Sequence, residues 1–386
     1  MMTKTEYGTS QHLETRVTQG DGVEFYLQEA SVPDPGEHEV IVRVEAAPLN
    51  PSDIAAMFGL GALKSVEEIQ REGRKVVRIK ASAPPANSAS MVGIGRPAGV
   101  ECAGRVVAAG TSAQAQALLG RTVTVLGPPA FARFKCVKAA ACMAFPEGIE
   151  PREVASAFVN PMTALAMIET MRLDGHKAIV HTAAASNLGQ MLAKLCIEED
   201  IDLVAIVRKE EQRRMLSELG VKYVLNSSQP DFEDRLTDAL VATGATVAFD
   251  AIAGGGLIDR ILRCMESAQL RLVEGPTTQY GTPVNKQVHV YGGLDPDAMV
   301  IGPAMARGYG MTWTVGGWLL TNVLNRVGPA RVAELRQRVA DSIRTIFKSS
   351  YGREISLEEA VSAKAIEAFF AQTTGGKFLI TPHKEV

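Results

Sequence analysis

From about residue 175 onward, short apolar runs alternate with stretches of helical spacing that are about ten or more residues long. The runs predict strands at residues 178–181, 203–207, 222–225, 246–249 and 287–291. The stretches between them predict helices at residues 187–199, 209–219 and 231–241. Strands separated by long helices pair in parallel through right-handed crossovers. This part of the chain is therefore predicted to be a doubly wound, nucleotide-binding sheet.

The flanking parts of the chain have a different pattern. Residues 22–150 are rich in short strands, and Val40, Val42 and Val44, for example, alternate with charged side chains. Residues 64–87 are charged and then rich in Ala, Pro and Ser, which predicts a surface excursion with a mobile part. Further along, we expect an amphipathic helix at residues 331–347 and a last strand at residues 377–380.

These patterns predict two domains, which suits a chain of 386 residues. We expect a β-rich domain made of residues 1–152 and 319–386. A doubly wound α/β domain made of residues 153–318 is expected to be inserted into it.

Charge and composition exclude several classes of protein. The net charge of −3 and the isoelectric point of about 6.1 provide no general attraction to nucleic acid or to an anionic membrane. The first twenty residues are polar, and no apolar run approaches the roughly 18 residues of a membrane span. The five cysteines are odd in number and form no CxxC pair, which is typical of reduced thiols. We therefore expect a cytoplasmic protein.

The first strand of the doubly wound part runs into a loop of small residues. The residues that we expect to bind a dinucleotide there are Ala184, Ala185, Ser186, Asn187, Leu188 and Gly189. Small side chains let a pyrophosphate approach the backbone and the N-terminus of the next helix. The loop does not match G-x-G-x-x-G, so the alternative is an α/β domain whose small-residue turn binds no nucleotide.

The end of the second strand indicates which dinucleotide is bound. NAD-binding folds place an acidic residue about 20 positions beyond the glycine loop, but this chain has Arg208 and Lys209 there. Cations at this place suit the 2′-phosphate of NADPH, which we expect as the cofactor. The alternative is a solvated helix start in which Glu210 and Arg214 form a weak surface pair.

Two more residues lie where ligands collect in open α/β sheets. Tyr291 and Gly292 end the strand at residues 287–291, and we expect both to contact the cofactor. His181 ends the first strand between apolar neighbours, which is more typical of a core histidine than of a catalytic base.

Five motifs occur in the order seen in the medium-chain dehydrogenases/reductases, and they span nearly the whole chain. They are Ala47-Pro-Leu-Asn-Pro-Ser-Asp53, Gly99-Val-Glu-Cys-Ala-Gly104, Asn160-Pro-Met-Thr-Ala164, Phe249-Asp-Ala-Ile-Ala-Gly-Gly255 and Gly376-Lys-Phe-Leu-Ile-Thr-Pro382. The chain resembles most the zinc-independent NADPH:quinone oxidoreductases. It is also similar to enoyl thioester reductases of the mitochondrial type.

The resemblance implies a GroES-like catalytic domain, a Rossmann domain that binds NADPH, and an active site in the cleft between them. It also implies a homodimer that pairs through the strand near residues 311–320, for which the alternative is an internal strand. Asn50 is implied to donate to a substrate carbonyl and Thr163 to contact the nicotinamide. The alternatives are a helix cap for Asn50 and a plain helix-start residue for Thr163. Glu101 is implied to organise the site, or else to be a salt-bridged structural carboxylate.

The sequence departs from the resemblance at two points that concern chemistry. Related zinc alcohol dehydrogenases have cysteine where Asn50 stands and histidine where Val100 stands, so we expect no metal. Enoyl thioester reductases have a tyrosine soon after the Asn-Pro motif, and here residues 54–61 contain none. The proton donor is then water or another residue such as Tyr280.

We therefore predict an NADPH-dependent reductase of a quinone or an α,β-unsaturated carbonyl. Reduction of an electron-poor quinone depends less on a general acid than thioester reduction does. The alternatives are an enoyl thioester reductase and an NADPH-binding protein with a structural or regulatory role.

Overall fold

A computed structural model describes residues 7–20, 22–59, 61–85, 88–273, 280–306, 308, 312–371 and 377–384. The chain forms two compact units, of which the first contains Met1–Val159 and Arg336–Val386 and the second contains Asn160–Leu335. These divisions lie later in the chain than the predicted boundaries after residues 152 and 318. The first division falls inside the helix Val159–Leu173 and the second inside the helix Leu320–Asp341, so no turn marks either of them.

The strands are numbered here in chain order. They are β1 (Thr9–Val17), β2 (Val23–Ser31), β3 (Glu39–Pro48), β4 (Leu63–Arg71), β5 (Arg74–Ala81), β6 (Gly95–Pro97), β7 (Glu101–Ala109), β8 (Thr122–Leu126), β9 (Phe134–Lys138), β10 (Met143–Ala144), β11 (Ile179–His181), β12 (Leu203–Val207), β13 (Tyr223–Asn226), β14 (Val247–Asp250), β15 (Lys286–Val290), β16 (Trp313–Gly317), β17 (Arg353–Ile355) and β18 (Phe378–Ile380).

The helices are numbered in the same way. They are α1 (Pro51–Phe58), α2 (Ala113–Gln116), α3 (Pro151–Val154), α4 (Val159–Leu173), α5 (Asn187–Glu198), α6 (Glu210–Glu218), α7 (Phe232–Thr243), α8 (Leu257–Leu272), α9 (Pro303–Ala306), α10 (Leu320–Asp341), α11 (Leu357–Ala360) and α12 (Ala363–Phe370).

The first unit is built on two sheets. One has the order β4-β5-β2-β1-β6, and the other has the order β10-β8-β7-β3-β18-β17 with β9 also paired to β3. Their apolar faces share one core, in which Leu13, Phe25, Phe58 and Phe131 are at most 1% exposed. The β-rich prediction is confirmed, although strands begin at Thr9 and not at residue 22.

The predicted surface excursion at residues 64–87 is wrong for its first part. Strands β4 and β5 form an antiparallel hairpin whose turn residues, Glu72 and Gly73, have φ values of 53° and 75°. Two positive φ angles fit a turn whose twist matches that of the strands. Val77 and Ile79 are buried and alternate with the exposed Arg78 and Lys80, but the high charge of the segment hid this period of two.

The second unit contains one parallel sheet with the order β13-β12-β11-β14-β15-β16. This is the order of a doubly wound dinucleotide-binding sheet, and the direction of the strand order reverses between β11 and β14. The predicted strands and helices of this unit are confirmed to within about two residues, which is the usual uncertainty of helix and strand ends. Helix α8 has no counterpart among the helices predicted from the sequence.

Two other helical segments differ from expectation. The helix expected at residues 331–347 is the second part of α10, which Gly328 interrupts with a φ of 82° and which ends at Asp341. The segment Pro151–Leu173 is long and apolar enough to cross a membrane by length and composition, contrary to our expectation. Within its most apolar stretch 83% of the residues are buried inside the protein, as is usual for a core helix.

Candidate functional site

The small-residue loop that was predicted to bind a dinucleotide connects β11 to α5. Ala183 has a φ of 50°, which turns the chain sharply after the strand. The Ser186 hydroxyl accepts a hydrogen bond from the Gly189 N–H at 3.1 Å and so caps the helix. A Cβ at Gly189 would lie 2.3 Å from the Ala184 carbonyl oxygen, so this position requires glycine. The helix therefore starts very close to the strand, as a dinucleotide fold needs.

The remaining loop residues divide by burial. Ala184, Ala185 and Leu188 are at most 9% exposed, so their side chains pack inside the unit. Ser186 and Asn187 are partly exposed at the N-terminus of α5. That terminus offers backbone N–H groups and the positive end of the helix dipole, which together favour an anion.

A buried carboxylate connects this loop to the neighbouring strand end. The Thr182 hydroxyl donates to Asp250 Oδ1 at 2.7 Å, and the Ala253 N–H donates to Oδ2 at 2.6 Å. The Thr182 oxygen in turn accepts the Ala251 N–H at 2.9 Å. Burial raises the pKa of Asp250, while these hydrogen bonds lower it. This role of Asp250 was not predicted, although the residue stands in one of the five motifs.

The end of β15 approaches the same edge of the sheet. The Tyr291 N–H donates to the Asp250 carbonyl oxygen at 2.9 Å. A Cβ at Gly292 would lie 2.8 Å from the Ala251 carbonyl oxygen, so this close approach also requires glycine. The structure thus brings Tyr291 and Gly292 to the carboxyl edge on which the small-residue loop lies.

His181 and Tyr291 form a stacked pair at this edge. Their ring planes are 12° apart, and His181 Nε2 lies 2.8 Å from the Tyr291 hydroxyl oxygen. His181 is fully buried, which lowers its pKa to about 3, so the ring is neutral. Burial also raises the pKa of Tyr291. The histidine is thus a core residue, but it contacts a predicted site residue through one nitrogen.

Arg208 and Lys209 follow β12 and are exposed. Lys209 Nζ lies 3.7 Å from Glu211, whereas the Arg208 guanidinium forms no ion pair with any residue that the structure describes. The end of the next strand lies beside them, because the Ser228 hydroxyl donates to the Arg208 carbonyl oxygen at 3.0 Å. Ser227 and Ser228 therefore lie next to the two predicted cations. The rule that ligands gather at the carboxyl ends of strands would have found both serines.

In the first unit, Asn50 and Glu101 form a buried pair. Asn50 Nδ2 donates to Glu101 Oε1 at 3.0 Å, so the Asn50 side chain does not cap α1. Asn50 Oδ1 is buried and has no hydrogen-bond partner among the described residues. Asp53 accepts the N–H groups of Asn50 and Val100 at 2.8 Å, which agrees with a structural role. Burial raises the pKa of Asp53 to about 7.

Glu101 is bound from several directions. Its Oε2 accepts the N–H groups of Phe158 and Val159 at 3.1 and 2.8 Å, at the start of α4. Burial raises its pKa, and the nearby Lys377 ammonium together with these hydrogen bonds lowers it. Lys377 itself donates to the Ser156 hydroxyl at 2.8 Å. Glu101 is thus a positioning residue that holds Asn50 and the helix start, and it forms no direct salt bridge in the described structure.

Thr163 lies inside α4 and is 7% exposed, so it is not a helix-start residue. It belongs to the second unit, whereas Asn50 belongs to the first. Tyr280, the other suggested proton donor, is 54% exposed. Among the residues that the structure describes, no three His, Cys, Asp or Glu side chains are grouped to hold a metal ion.

Known proteins are similar to this chain in sequence and in structure. Mouse prostaglandin reductase-3 is 24% identical over 283 residues, which are 73% of this chain and 67% of the mouse protein. The match to the bovine prostaglandin reductase-3 is 27% identical and spans only 48% of either protein. No family model matches the chain.

Among solved structures, a protein from Mesorhizobium loti described as an NADPH:quinone reductase superposes with a TM-score of 0.71 and 25% identity. The superposition covers 97% of this chain and 99% of that one. The chain has the fold of a medium-chain dehydrogenase/reductase. The resemblance inferred from the five motifs is confirmed, and so is the predicted combination of a GroES-like domain with a Rossmann domain.

The geometry of the loop generates a test of its tight packing. Gly189→Ala places a methyl group against the Ala184 carbonyl, so we expect a loss of about 1–3 kcal/mol in the free energy of unfolding. Gly316→Ala is the matched control, because a Cβ there meets no atom within 4 Å. Denaturant unfolding of both variants measures the difference, and an equal, small effect would contradict the close approach.

Proposed function

We propose that the chain is an oxidoreductase that uses NADPH to reduce a quinone or an α,β-unsaturated carbonyl compound. The observation that carries this proposal is the carboxyl edge of the parallel sheet. Three features lie on successive parts of one βαβ unit there: a loop that requires glycine, a helix N-terminus, and an arginine that forms no ion pair with the described residues. Prostaglandin reductase-3 and the NADPH:quinone reductase are reductases by name, which agrees with this proposal.

The residues present fit NADPH at both of its charged groups. The loop at residues 184–189 and the N-terminus of α5 would hold the pyrophosphate, since residues 183–186, directly before the helix, are no larger than serine. Arg208 and Lys209, which lie beside Ser227 and Ser228, would hold the 2′-phosphate. A mycobacterial protein of the same fold, solved in complex with NADPH, superposes with a TM-score of 0.63 at 16% identity over 97% of this chain and 100% of that one.

When NADPH is bound, its nicotinamide supplies the hydride, and the protein orients the substrate and stabilises the oxygen on which charge develops. Tyr291 is suited to the second task. His181 Nδ1 is buried and has no hydrogen-bond partner among the described residues, so an N–H there would lack an acceptor in that part of the chain. We therefore assign the ring proton to Nε2, from which it is donated to the Tyr291 oxygen.

This assignment leaves the proton of the Tyr291 hydroxyl available for another acceptor. We assign that acceptor to the carbonyl oxygen of the substrate, on which negative charge would develop during the reduction. Because burial raises the pKa of Tyr291, the tyrosine keeps its proton and acts as a hydrogen-bond donor. Water then delivers the proton that completes the reduction.

The remaining expectations are part of the same proposal. Asn50, held by Glu101, and Thr163 are assigned to the substrate and to the nicotinamide, respectively. The reaction is assigned to a metal-free enzyme in the cytoplasm.

β16 is an edge strand of the parallel sheet, so its free side can pair with a second copy of the chain. Light scattering would detect the resulting dimer.

The proposed reaction is tested by following NADPH absorbance with a panel of quinones, enones and enoyl thioesters. We expect turnover with a quinone or an enone that is unchanged by a metal chelator. Turnover with enoyl thioesters alone would show that these, and not quinones or enones, are the substrates. Turnover that a chelator abolishes would contradict metal-free chemistry. Tight NADPH binding with no turnover would support a structural or regulatory protein and overturn the proposal.

Arg208→Ala tests the choice of cofactor. Loss of a charged hydrogen bond to the 2′-phosphate should weaken NADPH binding by about 1–3 kcal/mol, while NADH binding changes little. Dissociation constants measured by titration give the comparison, with Arg214→Ala, an exposed arginine on α6, as the control. Equal losses for both cofactors would refute the role of Arg208.

Tyr291→Phe tests the proposed hydrogen-bond donor. The variant keeps the ring stacked on His181 but removes the hydroxyl, so kcat for an enone should fall about 10- to 100-fold with little change in KM. Tyr280→Phe, at an exposed tyrosine, should leave both constants unchanged. If Tyr291→Phe weakens only NADPH binding, the hydroxyl serves the cofactor and not the substrate.

A further inference from the structure

A second group of cations lies in the first unit, on the sheet that contains the β4–β5 hairpin. A cavity of about 550 Å³ opens there, and its charged lining residues are Arg16, Arg71, Arg78, Lys80 and Glu24. We call it the basic cavity. None of these residues belongs to the proposed dinucleotide site, whose residues lie in the second unit.

The sheet register explains why these side chains meet. Arg16 on β1 pairs with Glu24 on β2, and Glu24 pairs with Arg78 on β5. The three side chains therefore form a row across one face of the sheet. Lys80 stands two residues beyond Arg78, so it points to the same face. The hairpin thus adds cations to a face that already carries Arg16.

The row is held in place by the buried carboxylate of Glu24, which is 1% exposed. Glu24 binds Arg71 through two contacts of 2.8 and 2.9 Å, and it lies 3.7 Å from Arg78. Arg16 packs over the ring of Tyr26 at 5.3 Å. Side chains fixed in this way lose less conformational entropy when a ligand binds than free surface cations do.

The charges around the cavity are not balanced. Four cations line it, and Glu24 is the only carboxylate among the described residues that do so. Arg78 also lies 3.8 Å from Glu67, but the Glu67 side chain is 65% exposed and such a contact contributes little. Arg16 Nε is buried and has no hydrogen-bond partner among the described residues. Within the part of the chain that the structure describes, Lys80 donates only to a backbone oxygen, that of Gly20, at 3.3 Å.

A solvated hairpin face would also carry charged residues, but it would seldom bury a carboxylate such as that of Glu24 beneath two guanidinium groups. A ligand with several acceptor oxygens would offset the excess of positive charge and could also accept from the Arg16 Nε. Guanidinium groups bind phosphate oxygens through paired hydrogen bonds, and the volume suits a small organic molecule.

We propose that the basic cavity binds a compact phosphorylated small molecule, with a monophosphate or diphosphate group held by Arg16, Arg78 and Lys80. The site is separate from the proposed reductase activity and does not depend on it. Its ligand is recognised by phosphate chemistry and not by the hydride-transfer site. Pyrophosphate is the simplest probe that presents the required oxygens.

The test is isothermal titration of the full chain with pyrophosphate at constant ionic strength. Lys80→Gln should weaken binding at least about tenfold, which corresponds to about 1.4 kcal/mol. Lys75→Gln is the matched control, because it removes the same charge from the same strand at a residue outside the cavity. It should change the dissociation constant less than about twofold.

Two further variants make the result decisive. Arg16→Gln should weaken pyrophosphate as Lys80→Gln does, and Arg208→Ala should have no effect. If Lys80→Gln binds pyrophosphate as tightly as the wild type does, or if Arg208→Ala causes the loss instead, the anion binds at the loop 184–189 or beside Arg208 and the inference is wrong. Equal losses in Lys80→Gln and Lys75→Gln, or no binding by the wild-type chain at millimolar pyrophosphate, would also overturn it. Melting temperatures of the variants show that each remains folded.

Discussion

The carboxylate of Asp250 is the interaction on which the candidate site of the second unit depends. It receives the Thr182 hydroxyl from the loop after β11 and the Ala253 N–H from the loop after β14. The backbone oxygen of the same residue receives the Tyr291 N–H from the end of β15. Asp250 is fully buried, so a loop that moved away would leave a polar group without a partner. Three strand ends are thereby fixed relative to one another.

Glu101 has a similar function in the first unit. Its carboxylate binds the Asn50 side chain and two backbone N–H groups at the start of α4. A carboxylate at a helix start is favoured by the free N–H groups and the helix dipole. In both units a buried acid therefore positions the residues proposed to contact ligands, and neither acid needs to touch a ligand itself. The basic cavity repeats this design, since Glu24 orients the arginines around it.

Sequence patterns predicted the parallel sheet well because its strands are short apolar runs that alternate with long, regular helices across clear turns. They failed where many charged side chains concealed the alternation of buried and exposed residues along a strand. The β4–β5 hairpin has polar residues on its exposed face and was interpreted as an excursion, although Val77 and Ile79 mark a buried face. Single residues were also harder to assign. Asn50 was expected either to cap a helix or to face substrate, and it binds Glu101, a residue 51 positions away in the chain.

By itself, the sequence determined the fold class, the order along the chain of the strands in the parallel sheet, the loop around Gly189 and the cationic character of residues 208 and 209. These properties depend on neighbours in the chain, so local periodicity and residue size reveal them. Only the tertiary structure decided which side chains meet, because such contacts join residues far apart in sequence. The stacking of His181 on Tyr291, the links of Asp250 to three strand ends and the row of Arg16, Glu24 and Arg78 all arise from strand register and burial.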